Sequence, residues 1–90
     1  YAEILRERAR NLAEAIAADR FDEIERIAHL TRGSAALYGM DRLGEAAERA
    51  ETILRVQDGW ASSQIREAIE ELRLQLGRTI QSLERQVEIR

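Results

Sequence analysis

Apolar residues recur three and four positions apart through almost all of this 90-residue chain, and no proline interrupts them. That spacing follows the 3.6-residue turn of an α-helix; a half-buried strand would need strict alternation. Ala, Leu, Ile, Glu and Arg dominate, and these residues are compatible with helix throughout. The chain therefore reads as all-α.

Four amphipathic stretches are separable. The first is expected from Tyr1 to Ala18, with Leu5, Ala9, Leu12 and Ile16 inward and Ile4 and Ala13 widening the stripe. Asp19 is placed to cap the second helix, with Asp22 completing a weak capping box. That helix carries Ile24, Ile27, Ala28, Thr31, Ala35 and Tyr38 inward and should end near Gly39, which tolerates left-handed dihedrals. Asp41 is expected to cap the third helix, whose inner stripe is Leu43, Ala47, Ala50 and Leu54. Gln57-Asp58-Gly59-Trp60 reads as the next turn, with Asp58 as cap and Trp60 as a lid on the bundle end. The fourth helix is the longest, with Ile65, Ile69, Leu72, Leu76, Ile80, Leu83 and Val87 inward. Short loops between four such helices predict one domain over residues 1–90, an up-down-up-down antiparallel four-helix bundle. Ala28, Ala35, Ala47 and Ala50 should let the second and third helices approach closely.

Composition removes several function classes. No cysteine is present, so disulfides and thiolate metal sites are excluded and the chain suits a reducing cytoplasm. No apolar run is long enough to span a membrane, and no membrane contact is expected. A net charge of −3 leaves no basic surplus for phosphate backbones, so nucleic acid is not an expected partner. All 14 basic residues are Arg, a bias to which no function attaches. The chain begins at Tyr1 rather than Met, and is expected to be trimmed or excised from something longer.

His29 is the chain's only histidine. With Ile27 set at zero and ~100° per residue, the inward residues fall between about 20° and 100° and His29 at about 200°. Its neighbours on that side are Glu25, Arg26, Arg32, Gly33 and Ala36. The imidazole should therefore face solvent from the middle of a rigid helix. Arg32, one turn on, can reach an anion built on the ring. Gly33 costs a helix interior about 1 kcal/mol against alanine and leaves the next turn bare for an approaching protein. Ser34, at about 340°, points elsewhere, so no serine–histidine device forms. What remains is one nucleophilic nitrogen, one cation and open access, and imidazole can carry a phosphoryl group covalently.

His29-Leu30-Thr31-Arg32-Gly33-Ser34-Ala35, with Gly39 four residues beyond, resembles the signature of histidine-containing phosphotransfer (HPt) domains: His, any residue, Leu, Lys, Gly, Ser, Ala, then Gly. The similarity extends to Ala18-Asp19-Arg20-Phe21, to Gly39-Met40-Asp41-Arg42-Leu43 and to Asp58-Gly59-Trp60, so it covers nearly the whole chain. Arg32 stands for the usual Lys, a planar fork in place of a compact ammonium. Thr31 stands for the usual Leu, and its hydroxyl is expected to bond the Ile27 carbonyl.

The resemblance implies a phosphorelay intermediate. His29 would take a phosphoryl group from an aspartyl-phosphate on a response-regulator receiver domain and pass it to another, with Arg32 steadying the charge and Gly33 clearing space. Glu51 stands where the family often has Glu or Gln beside the imidazole, and would orient the ring; the competing reading is an i,i+4 surface pair with Arg55. The chain would be a carrier rather than an enzyme, with no ATP site, no metal site and no cofactor of its own. Mg²⁺ would belong to the receiver. The domain would stand free or form part of a hybrid sensor histidine kinase. The phosphoacceptor domain of a sensor kinase also exposes a helical His, but follows it with an acidic residue and soon a proline, whereas this chain has Leu30 and no proline. The alternatives are a degenerate HPt domain or a helical interaction module that docks receivers without being phosphorylated.

Overall fold

The computed structural model describes residues 1–56 and 63–88, with side chains through residue 86. It has four helices, α1 (Ala2–Ala17), α2 (Phe21–Leu37), α3 (Asp41–Val56) and α4 (Ser63–Glu88), and no strand among the described residues. α1 packs on α2 and α4, and α3 packs on α2 and α4, so the four stripes close around a single core. Leu5, Leu12, Ile24, Ile27, Leu43, Ile65, Leu72 and Leu76 are fully enclosed there. Each such side chain contributes roughly 1.5–3 kcal/mol through removal from water.

The α1 stripe keeps its expected line but lacks the two residues expected to widen it. Leu5, Leu12 and Ala15 are buried and Ile16 is partly so, while Ile4 and Ala13 lie exposed. The neighbouring helices sit on the Leu5–Leu12 line, which leaves the two flanking positions outside. Ile80 and Leu83 of α4 pack against the core edge; Val87, Asp58 and Trp60 fall outside the described side chains.

α1 and α2 end in the same way, and this alters two expected caps. At the end of α2 the Met40 N–H donates to the Ala35 carbonyl at 2.8 Å and the Gly39 N–H to Ala36 at 3.4 Å, with Gly39 at φ +70°. This is a Schellman closure, and glycine fits its left-handed position. At the end of α1 the Arg20 N–H donates to Ala15 at 2.9 Å and the Asp19 N–H to Ile16 at 3.2 Å, with Asp19 at φ 54°. Asp19 therefore closes α1 instead of capping α2. Arg20 takes the capping position, and neither it nor Asp22 forms a capping box there, since no side-chain cap bond is made. Asp41 is likewise inside α3 as its first residue; the preceding Met40 carbonyl accepts from Gly44 at 2.9 Å. Tyr38 lies beyond the last turn of α2, half exposed, and stacks on Tyr1 at 4.1 Å instead of entering the core.

Ala28, Ala35, Ala47 and Ala50 are all enclosed, and a Cβ added at Gly44 of α3 would stand 3.5 Å from the Ala35 Cβ of α2. This close approach lets a side chain on the edge of the α3 stripe reach the polar side of α2.

Thr31 departs from expectation. Its side chain is fully buried, but the hydroxyl makes no hydrogen bond, to Ile27 or to any other described residue. A buried donor without a partner costs about 1–3 kcal/mol. Thr31→Val keeps the shape and removes that cost, so the melting temperature should rise by about 5 °C. A melt followed by circular dichroism that shows no rise would mean the hydroxyl is paired in solution.

Candidate functional site

His29 stands in the middle of α2 on an open helix face, its side chain 55% exposed. Its Nδ1 lies 2.5 Å from Oε2 of Glu51 on α3. Glu51 is 1% exposed, on the border between the buried stripe of α3 and the surface of α2. An unpaired carboxylate so enclosed would be costly, and three groups compensate it. Arg55, one turn along α3, donates from Nη2 to the same Oε2 at 2.8 Å. Arg32 of α2 places Nε 3.3 Å from Oε1, a looser ion pair. His29 supplies the third contact. Glu51 thus meets both the imidazole and Arg55 on one oxygen atom, but from a buried position and not as the surface pair of the competing reading.

The tautomer follows from this arrangement. A carboxylate can only accept hydrogen bonds, so the ring nitrogen that faces Glu51, Nδ1, is the one that donates. Nε2 is then left with its lone pair, the nucleophilic form of the ring.

The surroundings leave access open. Nothing lies within 4 Å of a Cβ built at Gly33, and Leu30 and Leu37, on either side of it along α2, are 42% and 80% exposed. Arg26, a turn before His29, is occupied by Glu23 through bonds of 3.1 and 2.5 Å. Those bonds hold the Glu23 carboxyl below the usual carboxylate range. Ser34 is drawn to the opposite side, to Arg8 of α1 at 2.6 Å and to Tyr1 Oη at 3.1 Å. A groove of about 490 Å³ between the start of α3 and the second half of α4, lined by Met40, Leu43, Gln75 and Leu83, includes none of these site residues.

The Hpt domain family model matches residues 1–86. The chain belongs to the Hpt domain family. Hpt domains are phosphotransfer modules of two-component phosphorelays that work with response-regulator receivers, and they are not ATP-binding enzymes. Comparisons with curated proteins and with solved structures give no match. Among the described residues no helix of this Hpt domain is long and apolar enough to cross a membrane.

All four residues singled out from the sequence lie together: His29, Arg32 and Gly33 on α2, and Glu51 facing them from α3. Sequence reasoning set Glu25 on the His29 side of α2 and paired Arg55 with Glu51, but did not join Glu25 to Arg55. Arg55 Nε donates to Glu25 Oε1 at 2.9 Å, so the chain of contacts runs from Glu25 through Arg55 and Glu51 to the imidazole. Two i,i+4 spacings, Glu25 to His29 and Glu51 to Arg55, were the only local signal for it.

Proposed function

We propose that His29 is the phosphoryl carrier of a phosphorelay, loaded by one receiver and unloaded by another. The observation that supports this most is the bond from Nδ1 to the buried Glu51 on a ring that is 55% exposed, which reserves the Nε2 lone pair for phosphorus. The Nε2 lone pair attacks the phosphorus of a receiver's aspartyl-phosphate. The bond from phosphorus to the aspartyl oxygen breaks, and the carboxylate leaves with the electron pair. The ring becomes a phosphoimidazolium whose positive charge, shared with Nδ1–H, is stabilised by Glu51. Attack by a second receiver's aspartate on phosphorus returns the electron pair to Nε2.

Arg32, held only loosely by Glu51, turns to the phosphoryl oxygens. Gly33 and the exposed flank of α2 admit the receiver. Mg²⁺ for the transfer belongs to the receiver's acidic site; among the described residues no group of three or more His, Asp or Glu side chains could hold a metal ion. The helices run alternately up and down, and the setting is the cytoplasm, where receivers operate.

The direct test is to load the folded domain with phosphoramidate and locate the phosphate by ³¹P and ¹⁵N spectroscopy. Acid-labile phosphate on Nε2 that a receiver can remove is the expected result. No acid-labile phosphate, or phosphate on Nδ1, would overturn the proposal; a domain that binds receivers but takes no phosphate would be a docking module.

Arg32→Ala is expected to slow transfer about tenfold, since an exposed charge-assisted contact with phosphate is worth about 1.5 kcal/mol. Arg32→Lys should recover most of the loss, because a single contact suffices. Raising the salt concentration should narrow the gap between wild type and Ala, as exposed charges are screened over about 8–10 Å. Equal rates for all three proteins at low salt would reduce Arg32 to a solvated surface charge.

A further inference from the structure

We infer that Arg55, steadied by Glu25, is a positioning residue that acts on His29 through Glu51. Two cations attend the buried carboxylate, and they are held differently. Arg32 makes one contact, at 3.3 Å to Oε1. Arg55 makes two bonds, one within its helix and one across the pair: Nη2 to Glu51 Oε2 at 2.8 Å on α3, and Nε to Glu25 Oε1 at 2.9 Å on α2. A guanidinium anchored at both ends loses little further freedom, and its planar fork fixes where Glu51 can sit. The oxygen it fixes is the one that accepts from His29 Nδ1.

The two arginines therefore divide the work. Arg55 keeps Glu51 paired and its Oε2 aimed at Nδ1, while Arg32 is free to leave for an incoming phosphoryl group without stranding a buried charge. If Arg32 alone compensated Glu51, its departure to phosphate would leave an enclosed carboxylate unpaired, at a cost that opposes transfer. Glu25 completes the device: it sits one helical turn before His29 on the same face, so it ties the positioning group on α3 to the helix that carries the nucleophile. The bonds of Arg55 go to Glu51 and Glu25, and the imidazole bonds to Glu51 alone of these three.

This inference rests on His29 as the carrier, but its test is independent of phosphorylation. Long-range ¹H–¹⁵N spectra of the imidazole report which ring nitrogen bears the proton. The wild-type domain should show a protonated Nδ1 and an unprotonated Nε2. In Arg55→Ala the two nitrogen signals should move toward each other, as Nε2–H, the form preferred by a free histidine side chain, becomes populated. Arg55→Lys should restore most of the wild-type pattern, and Glu25→Gln should show a smaller displacement in the same direction as Ala. Loading by phosphoramidate should fall about tenfold in Arg55→Ala, in line with loss of an outer-shell partner. Arg55→Gln keeps the side-chain stem and gives the same reading should Ala loosen the helix end. Unchanged imidazole nitrogen signals in both Arg55→Ala and Arg55→Gln would overturn the inference. A failure of His29 to accept phosphate while the nitrogen signals still respond to Arg55 would count against the carrier role and leave the positioning geometry standing.

Discussion

His29→Gln is expected to abolish phosphoryl uptake completely while shifting the melting temperature by at most about 5 °C. The amide nitrogen of glutamine has its lone pair delocalised into the carbonyl and cannot act as the nucleophile. No second histidine exists to take over. The fold should tolerate the change because the imidazole is 55% exposed and contributes little buried area. Its one strong contact is the bond to Glu51, and removing a single hydrogen bond costs about 1 kcal/mol when the partner stays satisfied. Glu51 does stay satisfied, since Arg55 and Arg32 still attend it at 2.8 and 3.3 Å. Incubation with phosphoramidate, followed by an acid-lability assay and a thermal melt, checks both halves. Acid-labile phosphate on the variant would refute the mechanism.

Gly33→Gln is expected to slow transfer from a receiver at least tenfold while stability holds or rises. Glycine in a helix interior is about 0.8–1 kcal/mol less favourable than alanine, and glutamine is close to alanine. The space around the position is open, with nothing within 4 Å of an added Cβ, so no packing cost offsets the gain. The same openness is what a docking receiver uses. A side chain of five heavy atoms one turn from His29 would hold a protein surface away from Nε2 but would scarcely hinder a small molecule. Loading by phosphoramidate should therefore stay near the wild-type rate while transfer from a phosphorylated receiver drops. Unchanged receiver transfer would mean that Gly33 has no part in docking. An equal loss with both donors would mean that the substitution disturbs the imidazole itself.

The sequence carried the helices and much of the site, because both depend on local geometry. Three- and four-residue spacing located α1 to α4, and the ~100° advance per residue placed His29 away from Ile24, Ile27 and Ala28 without knowledge of any neighbour. Gly33 was legible for the same reason: an unexplained cost in a helix interior needs no tertiary context to be noticed. The errors fall where a local rule met a competitor. Asp19 satisfies the rule for a helix cap, yet the close of α1 needed a residue tolerant of positive φ, and with only three residues between α1 and α2 that demand took Asp19 first. Ile4 and Ala13 fit the two flanks of the helical stripe, but the neighbouring helices cover the Leu5–Leu12 line between them and leave both outside.

By itself the sequence determined that this protein is helical, that its one histidine faces outward beside Arg32 and Gly33, and that it resembles an Hpt domain. Only the tertiary structure decided which nitrogen of that histidine is available. That choice belongs to Glu51, 22 residues away, and to the cations that hold it in place. A helical pattern gives each side chain its direction around its own axis, but not the stagger or rotation of one helix against the next. Those are set by how the small residues Ala28, Ala35, Ala47 and Ala50 let α2 and α3 close together. The 2.5 Å contact at Nδ1 and the unpaired hydroxyl of Thr31 are both products of that packing, and no spacing along the chain encodes either one.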